Sequence, residues 1–353
     1  MEELEENKVK IVTALEEHGT APFLRMIEKK INKWKSLKVN LAIAGRTGTG
    51  KSSFINAVVK KWTGTRPAEV GCVGYEHPNN PNILLWDLPE VGTKNFPQES
   101  YLEKVNADLY DVVIIMTADK FTEQHKWLGK KMQERKKPVI FVRTKIGIDV
   151  ENSKDDYVWK DEKTILKEVK ADAMAECSKF IQASGVFLID SHKSDMYEFS
   201  DLEKCIVKKL SPSKGRALVF SISRMSRDTV KLKVTELKKI EMISVGSIIL
   251  GLSTVTVRSY TSFYVQQLGL DVQSLERRAV DPEMLNSVKG KVEKVMADIP
   301  SIVDRPVAIQ VLQLMPLVGE SIISHVVRNS LKCILIRLKT IALEAIDAFN
   351  ERD

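Results

Sequence analysis

Gly45-Arg46-Thr47-Gly48-Thr49-Gly50-Lys51-Ser52 is the stretch on which the reading of this chain turns. It matches G-x-x-x-x-G-K-[ST], and its flanks are those the motif requires: the apolar run Val39–Ala44 reads as a buried strand, and Ser53–Val59 as a helix. In such a loop, glycines let successive backbone N–H groups curl around phosphate oxygens, and the helix N-terminus adds partial positive charge. Lys51 reaches the β- and γ-phosphates, and the Ser52 hydroxyl ligates Mg²⁺. The phosphate-binding residues are therefore Gly45, Arg46, Thr47, Gly48, Thr49, Gly50, Lys51, Ser52 and Ser53. A ligand-free glycine turn would account for the glycines but not for the Lys-Ser pair.

Outward from the loop, short apolar runs alternate with helical patterns as far as about Leu210. The runs are Val39–Ala44, Ile83–Leu88, Val112–Met116, Val139–Val142 and Val186–Ile189. The helices are the one after the loop, a segment around Tyr101–Asp108, Glu123–Arg135, and Asp161 to Ala183. Alternation of this kind predicts an α/β fold with a mainly parallel sheet covered on both faces. Ligands then bind beyond the C-terminal ends of the strands.

The two chain ends read differently. Before the first strand lie two short amphipathic helices, one with the stripe Leu4, Ile11, Val12 and Leu15, the other with Phe23, Met26, Ile27, Ile31 and Trp34. Their apolar faces need a partner distant in sequence. After Leu210 strand-like runs stop, and Arg227–Leu250, Val255–Leu268, Glu283–Ala297 and Glu320–Phe349 predict an all-helical region, with Pro282, Pro300, Pro306 and Pro316 at the breaks. The expected division is 1–37, 38–210 and 211–353. The uncharged stretch Met242–Val257 is shorter than the roughly 20 apolar residues of a spanning helix and is diluted by Ser, Thr and Gly. A buried bundle helix is its first reading. A segment exposed on a conformational change to touch a membrane is the second.

Composition bounds the function. The 353 residues are 43% hydrophobic and 29% charged, as in an ordinary globular protein of one large or two smaller domains. Cys72, Cys177, Cys205 and Cys333 lie far apart with no C-x-x-C pair, which reads as reduced thiols in a cytoplasmic protein. The five histidines show no metal-ligand spacing. A net charge of +7 suits an anionic membrane surface or nucleic acid, but the basic residues are interleaved with acidic ones, as in Lys160-Asp161-Glu162-Lys163. Solvated faces are the simpler reading, and no nucleic-acid partner is expected. The opening Met1-Glu2-Glu3-Leu4-Glu5-Glu6 is neither a secretory signal nor a myristoylation site.

Two more stretches carry chemistry. Leu84-Leu85-Trp86-Asp87-Leu88-Pro89 ends a strand in an aspartate that can hold Mg²⁺, directly or through water. Phe141-Val142-Arg143-Thr144-Lys145 ends another in a Thr-Lys pair whose lysine stem can lie along a purine face.

With these residues in view, the chain resembles the immunity-related GTPases, the interferon-inducible p47 family, in its lysine-bearing branch. The likeness rests on Ala44–Ala57, Leu85–Pro89, Phe141–Lys145 and Val186–Ile189, and continues more weakly through Tyr264–Ser274 into the C-terminal helices. It implies a Ras-like GTP-binding domain beside a helical domain built from both chain ends. It also implies GTP and GDP as ligands with Mg²⁺, held by Ser52 and Asp87, and a base loop at Thr144 and Lys145 with Asp190 and Ser191 after the last strand. Slow hydrolysis accelerated by assembly with itself or related family members is implied too. So is peripheral contact with intracellular or vacuolar membranes in cell-autonomous immunity.

The departures from the family pattern bear on mechanism. Where the family has D-L-P-G, Glu90 replaces the glycine whose N–H meets the γ-phosphate, and places a carboxylate near an anionic group. Where it has T-K-x-D, Gly147 replaces the aspartate that reads guanine, and Asp149 could substitute only in a remodelled loop. Between Lys61 and Asn82 only Thr63 and Thr65 are available to a switch that clamps γ-phosphate and Mg²⁺. Val91 stands where Ras-like enzymes orient water, and no residue is assigned a catalytic role. Two readings follow: a weak GTPase, or a non-hydrolysing relative acting as a partner or membrane-interaction scaffold.

Overall fold

The computed structural model describes residues 21–59, 65–67, 71–156, 161–178, 185–222, 226–240, 250–277, 282–299 and 316–350. The first N-terminal stripe, Thr63, and residues 242–249 of the uncharged stretch lie outside them. The chain divides into two compact units, one of residues 34–223 and the other of residues 1–33 together with 224–353.

In its described residues the sheet-bearing unit has seven strands: β1 (Val39–Ala44), β2 (Thr65–Pro67), β3 (Val73–His77), β4 (Asn80–Asp87), β5 (Val112–Thr117), β6 (Val139–Arg143) and β7 (Val186–Leu188). Their order is β2-β3-β4-β1-β5-β6-β7, with β4, β1, β5, β6 and β7 mutually parallel. Every residue of β1 and β5 is buried, which is why they read as apolar runs, broken by Asn40 in β1 and ended by Thr117 in β5. Trp86 of β4 donates from Nε1 to the buried Asn40 Oδ1 of β1 at 3.0 Å, so the polar residue in that run is satisfied across the sheet.

The antiparallel strands β2 and β3 were not legible as strands. Residues 73–77 form an antiparallel hairpin with β4, which itself begins at Asn80 instead of Ile83. The turn His77-Pro78-Asn79-Asn80 carries the signal, since proline and asparagine mark tight reversals. Among the described residues of 61–82, the stretch expected to hold a shortened switch segment, 65–67, 73–77 and 80–82 are strand.

The helices of this unit are α2 (Lys51–Val59), α3 (Tyr101–Lys104), α4 (Glu123–Glu134), α5 (Ile146–Asp156), α6 (Glu162–Ser178), α7 (Phe199–Lys209) and α8 (Pro212–Ser221), after a helix α1 (Ala21–Ile31) that belongs to the other unit. Helix α8 groups with the sheet, not with the C-terminal helices. Lys214 donates to Asp111 Oδ1 at 2.6 Å, Asp111 Oδ2 accepts from Asn40 N at 2.9 Å, and Phe220 packs edge-on against Trp34 at 5.6 Å. The boundary expected at 210/211 thus falls one helix later.

The second unit is helical in its described residues: α1, α9 (Arg227–Leu237), α10 (Leu250–Gln267), α11 (Val272–Glu276), α12 (Pro282–Ala297) and α13 (Pro316–Asn350). The distant partner of α1 is α10, and α10 also packs on α13. Ile27, Tyr260, Ile334 and Leu338 are fully buried. Lys233, itself buried, donates to the Gln267 carbonyl at 2.9 Å near the C-terminal end of α10, where helix carbonyls lack partners. Pro282 and Pro316 each open a helix, as suits a residue with no N–H to offer.

Candidate functional site

The loop from Gly45 to Gly50 joins β1 to α2 and turns back on itself. Gly45 passes so close to the end of β5 that an added Cβ would overlap the Met116 carbonyl oxygen and stand 2.9 Å from Thr49 Oγ1. Inside the curl, the Thr49 hydroxyl donates to the Arg46 carbonyl at 2.8 Å, and Phe54 N closes the first helical turn on Gly50 O at 2.9 Å. Ser53 lies in that turn. Lys51 folds over the loop and donates from Nζ to Gly45 O at 3.0 Å and Arg46 O at 3.4 Å, with Asp87 Oδ1 at 3.7 Å.

Ser52 Oγ donates to Asp87 Oδ2 at 3.3 Å. Two oxygen ligands at right angles around Mg²⁺ stand roughly 3 Å apart, so this pair fits the metal, with phosphate and water oxygens to complete its shell. Burial pushes the Asp87 carboxyl upward from the usual carboxylate range, opposed by the Lys51 charge and the Ser52 hydroxyl.

Glu90 comes back to the same loop. Its Oε2 accepts from Thr47 N at 3.2 Å and its Oε1 from Arg46 Nε at 3.2 Å. A carboxylate therefore caps one of the N–H groups that the sequence assigned to phosphate. Beside it opens a cleft of about 260 Å³ lined by Gly45, Arg46, Glu90, Val91, Thr122 and His125, among others.

His125 was not among the sequence candidates. Its Nδ1 accepts from Thr122 N at 3.2 Å, while Nε2 is buried without a hydrogen-bond partner. Burial first, then the nearby Arg46 charge, lowers its pKa to about 4, partly opposed by Glu90. The folded protein thus prefers the neutral ring, whereas the unfolded chain takes up a proton near pH 6.5. Stability is fully present above about pH 6.5 and falls as the pH drops toward 4, by up to about 3 kcal/mol. Urea unfolding midpoints across that range measure it, and His125→Gln flattens the slope.

On the opposite flank, β6 and β7 end side by side: Ile189 N donates to Arg143 O at 2.9 Å, and Ile146 N to Ile189 O at 3.3 Å. The buried Thr144 hydroxyl bridges to Thr49 O at 2.7 Å and Thr117 O at 3.1 Å, fastening the base side to the phosphate loop. Lys145 is exposed and left-handed, with φ of +59°, immediately before α5. Asp149 is engaged elsewhere: its Oδ2 accepts from Arg143 Nη2 at 2.8 Å and Nε at 3.2 Å. Ser191 is half-buried, and Asp190 is buried with its Oδ1 accepting from His192 N at 2.9 Å. A Cβ on Gly147 would overlap Asp190 Oδ2.

The structure thus gathers Gly45–Ser53, Asp87 and Thr144 into one loop cluster, and pairs Gly147 with Asp190 beside it. The profile of the family described as Interferon-inducible GTPase (IIGP) matches residues 4–314. The chain belongs to that family. This interferon-inducible GTPase family member is 30% identical over 301 residues to the mouse protein named T-cell-specific guanine nucleotide triphosphate-binding protein 2, across 78% of this chain and 71% of that one. It is 29% identical over 272 residues to mouse Interferon-inducible GTPase 1, across 70% of this chain and 65% of the relative. Among solved structures, the G domain of the T. maritima FeoB iron transporter is 20% identical, with a TM-score of 0.32 over 49% of this chain and 98% of its own. Besides His125, sequence reasoning missed the contacts made by Glu90 and the pairing of Asp190 with Gly147. The signal for the second was present: a glycine at the aspartate position and an aspartate in the loop beyond the next strand.

Proposed function

We propose that this family member binds GTP and GDP with Mg²⁺ on the 45–53 loop. Ser52 and Asp87 take the metal, and Thr144, Lys145, Asp190 and Ser191 enclose the base. The sheet-bearing unit is the GTP-binding domain, and both chain ends build the helical one. Lys51 and Mg²⁺, when bound, neutralise the β- and γ-phosphate oxygens. Turnover of GTP is slow, because Val91 offers no hydrogen bond to an attacking water. In this reading the protein is cytoplasmic, assembles with itself or related family members when nucleotide is bound, and acts at intracellular or vacuolar membranes in cell-autonomous immunity. The membrane contact in this reading is a peripheral one; among the described residues no helix is long and apolar enough to cross a membrane.

The observation that carries the reading is the preformed loop, with Lys51 Nζ 3.0 Å from Gly45 O and Ser52 Oγ 3.3 Å from Asp87 Oδ2. Equilibrium binding of fluorescent GTP, GDP and ATP in Mg²⁺, then phosphate release at rising protein concentration, tests it. Saturable guanine-nucleotide binding is expected, and its absence overturns the reading.

Glu90 supports a second reading, a relative that holds the diphosphate and cycles little. Its carboxylate occupies Thr47 N and pairs with Arg46, on the side where a third phosphate would arrive, and like charges there repel. Glu90→Gln is expected to raise GTP affinity relative to GDP by about tenfold, the effect of removing roughly one unit charge interaction. Titration calorimetry with both nucleotides reads the ratio. An unchanged ratio would place the carboxylate away from the γ-phosphate.

A further inference from the structure

We propose that Asp190 is the residue that selects guanine, using space that Gly147 leaves free. This rests on the nucleotide reading above and names the group that sets its base specificity. Guanine presents two adjacent donors, the ring N1–H and the 2-amino group, and an ionised carboxylate is an acceptor at both oxygens. Adenine presents an acceptor at N1 and nothing at C2, so a carboxylate there rejects it.

The position from which the family pattern projects that carboxylate is 147, and here it is a buried glycine. The carboxylate has not been lost from the site. Asp190 Oδ2 lies 2.4 Å from where the first carbon of a side chain at 147 would stand, too close for both, so the group comes from the neighbouring strand end instead. Three features hold it there. The backbone bonds Ile189 N to Arg143 O and Ile146 N to Ile189 O lock the two loops side by side. His192 N fixes Asp190 Oδ1 at 2.9 Å, which sets the rotamer and turns Oδ2 toward Gly147. The residue is 8% exposed, so its carboxylate is not free to swing into solvent. Gly147 then has a physical reason of its own, because any other side chain would collide with Asp190. The nearest rival, Asp149, is spent on Arg143.

Asp190→Asn is the test, because the amide keeps an Oδ1 acceptor for His192 N while turning the other atom into a donor. Xanthine carries a carbonyl where guanine has its 2-amino group and so matches that donor. GDP, XDP and ADP are titrated against wild type and variant in Mg²⁺. The wild type is expected to prefer GDP over both, and the variant to shift the GDP-to-XDP preference by roughly a hundredfold toward XDP. If the wild type binds none of the three, the nucleotide reading itself fails. If it binds GDP and the Asn variant leaves the ratio within about twofold, or if it binds ADP as well as GDP, this inference alone is overturned. Should the Asn variant not fold, Gly147→Asp combined with Asp190→Ser moves the carboxylate back to 147. Recovery of GDP-selective binding by that pair, with Gly147→Asp alone defective, supports the inference. A cooperatively melting pair that does not select GDP overturns it.

Discussion

Lys51→Ala lowers affinity for GTP and GDP by at least about a hundredfold, because the lysine's charge-assisted hydrogen bonds to phosphate are worth roughly 1.5–3 kcal/mol each. The side chain acts twice. In the proposed reading it presents its ammonium to the nucleotide, and in the structure it ties the loop together through Gly45 O and Arg46 O. Removing it also takes away the charge that opposes the burial of Asp87, so that carboxyl becomes still harder to ionise. The fold itself loses little, about 1–2 kcal/mol for two hydrogen bonds that are partly open to water. Fluorescent-nucleotide titration alongside thermal unfolding separates the two effects. Binding within threefold of wild type would mean that phosphate is not held on this loop.

Gly45→Ala is expected to damage folding and binding together. The new Cβ meets the Met116 carbonyl, which is backbone at the end of a fully buried strand, and the Thr49 hydroxyl that closes the loop. Neither neighbour can swing aside as a surface side chain would. Overpacking of this kind costs about 1–3 kcal/mol, more where backbone must move, which lowers Tm by roughly 5–10 °C in a unit of this size. The relief route is to shift the loop, and that spoils the register of its N–H groups. Scanning calorimetry and GDP titration check both parts. Gly290→Ala provides the contrast, since a Cβ there meets nothing within 4 Å and sits inside α12, where alanine is the better helix former.

Legibility in the sequence followed the strength of the local pattern. The buried strands β1, β5 and β6 were visible because both their faces are covered, which leaves continuous apolar runs. Strand β3 was not, because as part of an edge hairpin it alternates half-heartedly, with Gly74 and His77 as its buried residues. Helix α5 was hidden by its weak amphipathicity and by starting directly after Lys145. In the candidate site, Gly45 to Ser53 share one stretch of backbone, so their grouping follows from their order alone. Glu90 on Thr47 N, His125 in the cleft and Asp190 over Gly147 are meetings across 34 or more positions, set by crossovers that no local pattern encodes.

The Lys214–Asp111–Asn40 chain under β1 has a practical corollary for anyone dividing this polypeptide. A fragment trimmed at Leu210, where the strands run out, would bare the ring face shared by Trp34 and Phe220 and would leave Asp111 without its lysine. Asn79 would lose the Ser221 carbonyl that it holds at 3.0 Å. The excision point that keeps these bonds intact lies beyond Ile222, so a helix that looks like the first piece of the C-terminal bundle has to travel with the sheet-bearing unit.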